Sequence, residues 1–165
     1  MPETPDHAGL RQEARAFRDH FRSVVLATSS ADGQPDASYA PVVFDEQETP
    51  HVYISELAQH TRNLLENPRA SLLFIADESD TRNLFGRQRL TLHCEARRID
   101  PADPQATLLL DQFEHSFGKT VQLLRSLGDF HLFAFEVRAG TYVRGFAQAW
   151  EIADASLNIV KLNRG

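Results

Sequence analysis

Short segments in which apolar and polar side chains alternate follow one another along most of this chain. The clearest runs from Arg89 to Ala96, where every second residue is apolar and the residues between are polar or charged. A period of two is the pattern of a β-strand that has one buried face and one solvent-exposed face. Because short turns join several such segments, neighbouring strands are predicted to pair antiparallel, and this constrains the fold more than any other feature.

Turn signals place the predicted hairpins. Asp32-Gly33 supplies the positive φ of a tight turn between strands at Ser23–Thr28 and Asp36–Phe44. Further strands are predicted at His51–Ser55, Ala70–Ala76 and 87–96, and a closing hairpin around Arg138-Ala139-Gly140 pairs Phe130–Val137 with Thr141–Gln148. Six or seven strands in this order favour a closed or partly closed barrel, because closure removes exposed sheet edges.

Helical segments flank these strands, so the predicted fold class is mainly β with α (α+β). A helix is expected within residues 1–22, a barrel over 23–150 and a tail over 151–165, all in one domain of 165 residues. Shorter helices are predicted at His60–Glu66, where Thr61 can act as the cap, and at Lys119–Leu127. Another is predicted at Asp103–Gly118, where Asp103 is the cap and Pro104 occupies the first helical position. The first helix carries an arginine stripe that is predicted to face solvent, formed by Arg11, Arg15, Arg18 and Arg22.

Charge and composition exclude several functional classes. With 23 acidic and 17 basic residues the formal charge is −6, which argues against nucleic-acid binding. Cys94 is the single cysteine, so an intrachain disulfide is impossible and a cytoplasmic protein is expected. No 18-residue apolar run and no basic leader is present, so neither membrane insertion nor export is expected. The seven histidines lack the spacing of metal ligands, and no metal site is predicted.

Three segments carry a resemblance to a known family. They are Ser38-Tyr39-Ala40-Pro41, the run from Ser55 to Pro68, and Arg89-Leu-Thr-Leu92. In this order the sequence resembles the FMN-binding split-barrel superfamily of pyridoxamine 5′-phosphate oxidase relatives, and within it the heme-utilisation (HugZ/HutZ-type) branch. The match runs from about Phe17 to Trp150. It implies a homodimer of six-stranded split β-barrels with peripheral helices and a small planar cofactor in a groove between the subunits.

The resemblance makes FMN the first choice of cofactor and points to its binding residues. The phosphate group of a flavin is bound by guanidinium groups, hydroxyl groups and backbone N–H donors near a helix N-terminus. Tyr39 and Trp150 are candidates for packing against the planar ring. The other candidate cofactor-binding residues are Ser38, Ser55, His60, Thr61, Arg62, Asn63, Arg89 and Thr91. A flavin-dependent oxidoreductase is the leading interpretation, although no residue is assigned to catalysis.

Heme is the alternative cofactor. Many flavin-binding relatives have a lysine where this chain has His60, whereas a histidine near the heme occupies that place in the heme-utilisation branch. Asp129 resembles the acidic residue that hydrogen-bonds the axial histidine in heme-degrading members. That axial histidine comes from a C-terminal tail, and this sequence has no histidine after His131, which ranks heme second.

Each of these residues also has a structural interpretation. The serine and threonine residues are also typical of strands and helix caps, the arginines can form surface or dimer salt bridges, and the aromatic residues can pack in a core. A third interpretation is therefore a dimeric binding module without catalysis, because a fold by itself does not specify a reaction.

Overall fold

The computed structural model describes residues 6–162, which form four α-helices and a nine-stranded antiparallel sheet. The helices are α1 (His7–Asp19), α2 (Gln59–Glu66), α3 (Pro104–Phe117) and α4 (Lys119–Ser126). The strands are β1 (Ser23–Ser29), β2 (Pro35–Pro41), β3 (Val43–Phe44), β4 (Pro50–Ser55), β5 (Arg69–Ile75), β6 (Arg89–Ile99), β7 (Phe130–Gly145), β8 (Gln148–Ile152) and β9 (Ile159–Leu162). Two short 3₁₀ turns, at Glu78–Asp80 and Leu84–Gly86, lie between β5 and β6.

The order of the strands requires the sheet to curl into a barrel. Along the hydrogen-bonded path the order is β2-β1-β5-β6-β7-β4-β3, with β8 and β9 added beside β7. The two ends of that path, β2 and β3, are consecutive in the chain and only Val42 separates them. Because one residue spans only about 3.5 Å, the two outer edges of the sheet lie side by side. The predicted antiparallel barrel with peripheral helices is confirmed.

Two apolar clusters hold the fold together. The larger fills the barrel and includes Leu26, Leu72 and Leu92 with the aromatic side chains of Phe74 and Tyr142. The smaller lies between the α3–α4 pair and the strands beneath it and includes Leu109, Phe113 and Leu132. Burial of these apolar side chains is the main stabilising contribution to the fold. The alternate burial of β6 confirms the alternation predicted from Arg89 to Ala96.

The predicted closing hairpin at residues 138–140 is wrong. β7 runs unbroken from Phe130 to Gly145, and Ala139 and Gly140 pair with His93 and Leu92 of β6. Arg138 has no partner in that ladder, so the Arg-Ala-Gly signal marks a β-bulge. Gly140 is needed there because a Cβ atom would lie 2.5 Å from the carbonyl oxygen of Thr91.

The arginine stripe of α1 does not face solvent throughout. Arg18 is only 3% exposed, donates to Asp19 and Glu48, and lies 4.5 Å from the ring centre of Phe44. Its neighbour Arg11 donates to the carbonyl oxygen of Ser156. The loop before β4 and the segment before β9 therefore pack over α1. They cover a helix face that was predicted to be exposed to solvent because it carries arginines.

The predicted C-terminal tail is partly ordered into the sheet. β8 pairs with β7, and β9 pairs with β8, so residues 159–162 add a strand that the sequence did not predict. Residues 163–165 lie outside the described residues, as do residues 1–5 of the predicted N-terminal segment. Among the helices that the structure describes, none is long and apolar enough to cross a membrane.

Candidate functional site

Two of the predicted site residues, Ser38 on β2 and His60 on α2, contact each other through their side chains. The Ser38 Oγ atom lies 2.8 Å from His60 Nδ1 and 3.1 Å from the carbonyl oxygen of Leu26 on β1. Ser38 lies on the side of β2 that faces α2, because alternate residues of a strand point to opposite faces. Within residues 6–162 the other ring nitrogen, Nε2 of His60, makes no hydrogen bond.

The surroundings of His60 favour the neutral form of its ring. Burial lowers its pKa from the ordinary value of 6.5, and the nearby Asp36 carboxylate opposes that shift. Asp36 lies on the same face of β2 as Ser38, and its buried Oδ2 atom has no partner among the described residues. Sequence reasoning missed Asp36, although its position two residues before Ser38 places it on the same face.

The beginning of α2 does not have the cap that the sequence predicts. The N-cap is Ala58, which has no capping side chain, and Thr61 lies inside the first turn. Thr61 is fully buried, and its hydroxyl has no hydrogen-bond partner within residues 6–162. Asn63 is also buried and donates to the Thr28 hydroxyl of β1 at 3.0 Å. These two side chains therefore anchor α2 on the barrel rather than facing an open groove.

Ser55 and Asp129 form a second contact pair where β4 meets β7. The Ser55 hydroxyl donates to Asp129 Oδ2 at 2.6 Å and accepts from the backbone N–H of Leu57. The backbone N–H of Glu56 donates to the carbonyl oxygen of Asp129. Together these bonds fix the turn that leads into α2, so in this chain Asp129 supports the segment that carries His60.

The two predicted phosphate-binding arginines bond to their own chain. Arg62 donates to the carbonyl oxygens of Glu56 and Leu57 and to the side chain of Gln59. Arg89 donates to the carbonyl oxygen of Arg87. Each guanidinium group is therefore engaged in holding a turn, which leaves fewer of its donors for an added anion.

The remaining predicted residues lie apart from His60. Tyr39, Arg89 and Thr91 lie on the outer face of the sheet, where a continuous lateral row runs from Tyr39 through Val25 and Leu73 to Thr91. Tyr39 is 67% exposed at one end of this row. Trp150 is 3% exposed in the barrel core. The predicted site residues thus divide into a group around α2, an outer-face group and one core residue.

A groove of about 1000 Å³ opens elsewhere on the molecule, between α1, the loop before β6 and the end of β7. Its lining includes Phe17, Phe21, Arg82 and Phe146, and none of the predicted site residues. Both positive and negative side chains surround it, so it shows no preference for an anion or a cation.

A family model and a related protein of known name place this chain in the same family. The family model described as pyridoxamine 5′-phosphate oxidase matches residues 10–144. The heme oxygenase HutZ of Vibrio cholerae serotype O1 is 36% identical over 157 residues, which cover 94% of this chain and 89% of HutZ.

Solved structures agree with this assignment. A crystal structure of HutZ, described there as a heme storage protein, superimposes with a TM-score of 0.70 over 75% of this chain and 87% of HutZ, at 36% identity. Campylobacter jejuni ChuZ superimposes with a TM-score of 0.85 over 99% of this chain and 68% of ChuZ, at 30% identity. On this evidence the chain belongs to the pyridoxamine 5′-phosphate oxidase family, in its heme-utilisation branch.

Proposed function

We propose that this protein binds heme, with His60 Nε2 as a ligand of the iron. The observation that carries the proposal is the geometry of the His60 ring, which is half-buried and is held at Nδ1 by Ser38. Burial lowers the pKa of this ring and so favours its neutral form, which is the form that can bind a metal ion. Imidazole nitrogen is a common ligand of heme iron. Support also comes from HutZ, whose names are heme oxygenase and heme storage protein. When bound, heme supplies redox chemistry with oxygen, and we include heme degradation in the proposal.

FMN, which the sequence ranked first, has weaker support. A phosphate group needs donors that are not already committed, yet Arg62 and Arg89 donate to backbone carbonyl oxygens. His60 stands where many flavin-binding relatives have a lysine, and a neutral imidazole is a poorer partner for a phosphate. The heme-related names of the relatives favour the same choice.

We also propose that a second copy of the chain covers the outer face of the sheet. The lateral row through Val25 and Leu73 contains apolar side chains, and Val25 and Tyr39 are both exposed in the single chain. A sheet face of this kind is stabilised when a partner removes it from water. The resemblance to dimeric split barrels favours a homodimer.

Titration with hemin tests the proposed function. The wild-type protein is expected to give a saturable, histidine-ligated Soret spectrum, and His60→Ala is expected to lose that spectrum. His20→Ala is the matched control, because His20 is an exposed histidine at the C-terminal cap of α1 whose ring contacts the carbonyl oxygen of Ala16. Sedimentation velocity on the same samples gives the mass of the heme-bound species.

Two results would contradict the proposal. One is saturable FMN binding with only nonspecific hemin absorption, which would restore the flavoprotein interpretation. The other is an unchanged Soret spectrum in His60→Ala, which would exclude His60 as a ligand. If the Soret band persists when ascorbate and oxygen are supplied, the protein binds heme without degrading it, and the degradation part of the proposal fails.

A further inference from the structure

The hydroxyl proton of Ser38 determines which nitrogen of His60 carries hydrogen. Ser38 Oγ has two neighbours within hydrogen-bond distance, Leu26 O at 3.1 Å and His60 Nδ1 at 2.8 Å. The hydroxyl has one proton, and a carbonyl oxygen can only accept. Both contacts are hydrogen bonds only if Ser38 donates to Leu26 and accepts from an Nδ1–H of His60.

The reverse arrangement is less favourable. If Ser38 donated to Nδ1, its oxygen would face the carbonyl oxygen of Leu26 with no proton between them, and one hydrogen bond would be lost. The ring would then carry its hydrogen on Nε2, which makes no hydrogen bond within residues 6–162. Because β1 and β2 pair directly at Leu26 and Ser38, the carbonyl oxygen is held in place by the sheet.

We infer that Ser38 is a positioning residue that keeps His60 in the Nδ1–H tautomer and directs the lone pair of Nε2 outward, toward the iron. This inference rests on the proposed function, because it assigns that lone pair to heme. Histidines that ligate metals usually donate their other ring N–H to a fixed acceptor, which sets the orientation and basicity of the ring. Here the acceptor is a hydroxyl that is itself held by a main-chain carbonyl group.

The chain contains a second serine–histidine contact, in which the serine hydroxyl does not also contact a carbonyl oxygen among the described residues. Ser71 on β5 lies 2.9 Å from Nδ1 of His93 on β6, and within residues 6–162 its hydroxyl has no other partner. Its proton is therefore free to point toward the ring, so this pair lacks the constraint that acts on His60. Ser71→Ala is a control for loss of a serine hydroxyl beside a histidine.

Nitrogen-15 NMR of the ligand-free protein at neutral pH measures the tautomer directly. His60 of the wild-type protein and of Ser38→Thr is expected to show a protonated Nδ1 and an unprotonated Nε2. Ser38→Ala is expected to shift His60 toward Nε2–H, whereas Ser71→Ala is expected to leave it unchanged. Hemin affinity is expected to fall about 10–100-fold in Ser38→Ala and to recover in Ser38→Thr.

The outcomes separate this inference from the proposed function. An Nε2–H tautomer of His60 in the wild-type protein would overturn the inference whether or not heme binds. Equal hemin affinity in the wild-type protein and in a folded Ser38→Ala variant would also overturn it. Failure of the wild-type protein to bind hemin, with the Nδ1–H tautomer present, would overturn the proposed function and with it the assignment of the lone pair to iron.

Discussion

Replacing Gly140 by alanine tests the continuous strand β7 and the bulge within it. The new Cβ atom would lie 2.5 Å from the Thr91 carbonyl oxygen and 3.1 Å from Leu92 Cδ2. The first distance is roughly 1 Å shorter than a normal non-bonded contact. Because the carbonyl belongs to the central strand β6, relief requires a backbone shift, and overpacking of this kind costs about 1–3 kcal/mol. We expect a net loss of about 2 kcal/mol, because alanine also restricts the unfolded chain.

Urea unfolding followed by the fluorescence of Trp150, the single tryptophan, measures this loss. For a chain of this size 2 kcal/mol corresponds to a fall in Tm of about 4–8 °C. Gly145→Ala is the control on the same strand, because no atom lies within 4 Å of the position of its Cβ. Equal stability of the two variants would refute the close approach of β7 to β6 and would favour the hairpin that the sequence predicts.

Two further predictions concern buried charge and pH. Arg18→Ala is expected to lower the free energy of unfolding by about 3 kcal/mol, because it leaves the partly buried Glu48 without one of its ion-pair partners. Arg15→Ala removes the exposed partner of the same carboxylate and is expected to cost less than about 1 kcal/mol; equal losses in calorimetry would contradict the burial of Arg18. Burial lowers the pKa of His51, so the unfolded chain takes up a proton first as the pH falls below 6.5, and stability is lost toward acid. His51→Gln is expected to flatten the dependence of urea stability on pH between 7.5 and 5.5, and an unchanged slope would count against this origin.

Local chemistry was enough to predict many elements. Gly33 has a φ of 91°, as the Asp32-Gly33 turn between β1 and β2 requires. Asp103 caps α3 by accepting from the backbone N–H of Gln105, and proline follows at the first helical position. These predictions succeeded because each depends on residues only a few positions apart.

The errors came from contacts between distant segments. The Arg138-Ala139-Gly140 segment has the composition of a turn, but its pairing with β6 turns it into a bulge. In the sequence Arg18 belongs to a stripe that is predicted to face solvent, but in the structure Glu48 and Phe44 pack against it. Thr61 was predicted as a cap, yet α2 begins at Gln59 and packs on the barrel so that the hydroxyl is buried.

The sequence by itself determined most of the strands, the turn between β1 and β2 and the family, because alternation, turn residues and sequence motifs can be read directly from the chain. It also identified Ser38 and His60 as candidate site residues, although not as partners. Only the tertiary structure decided that they meet, that Tyr39 and Thr91 belong to one lateral row across four strands, and that Trp150 is buried. The physical reason is that strand alternation specifies the face of a side chain, whereas its neighbours depend on how the barrel closes and where α2 packs.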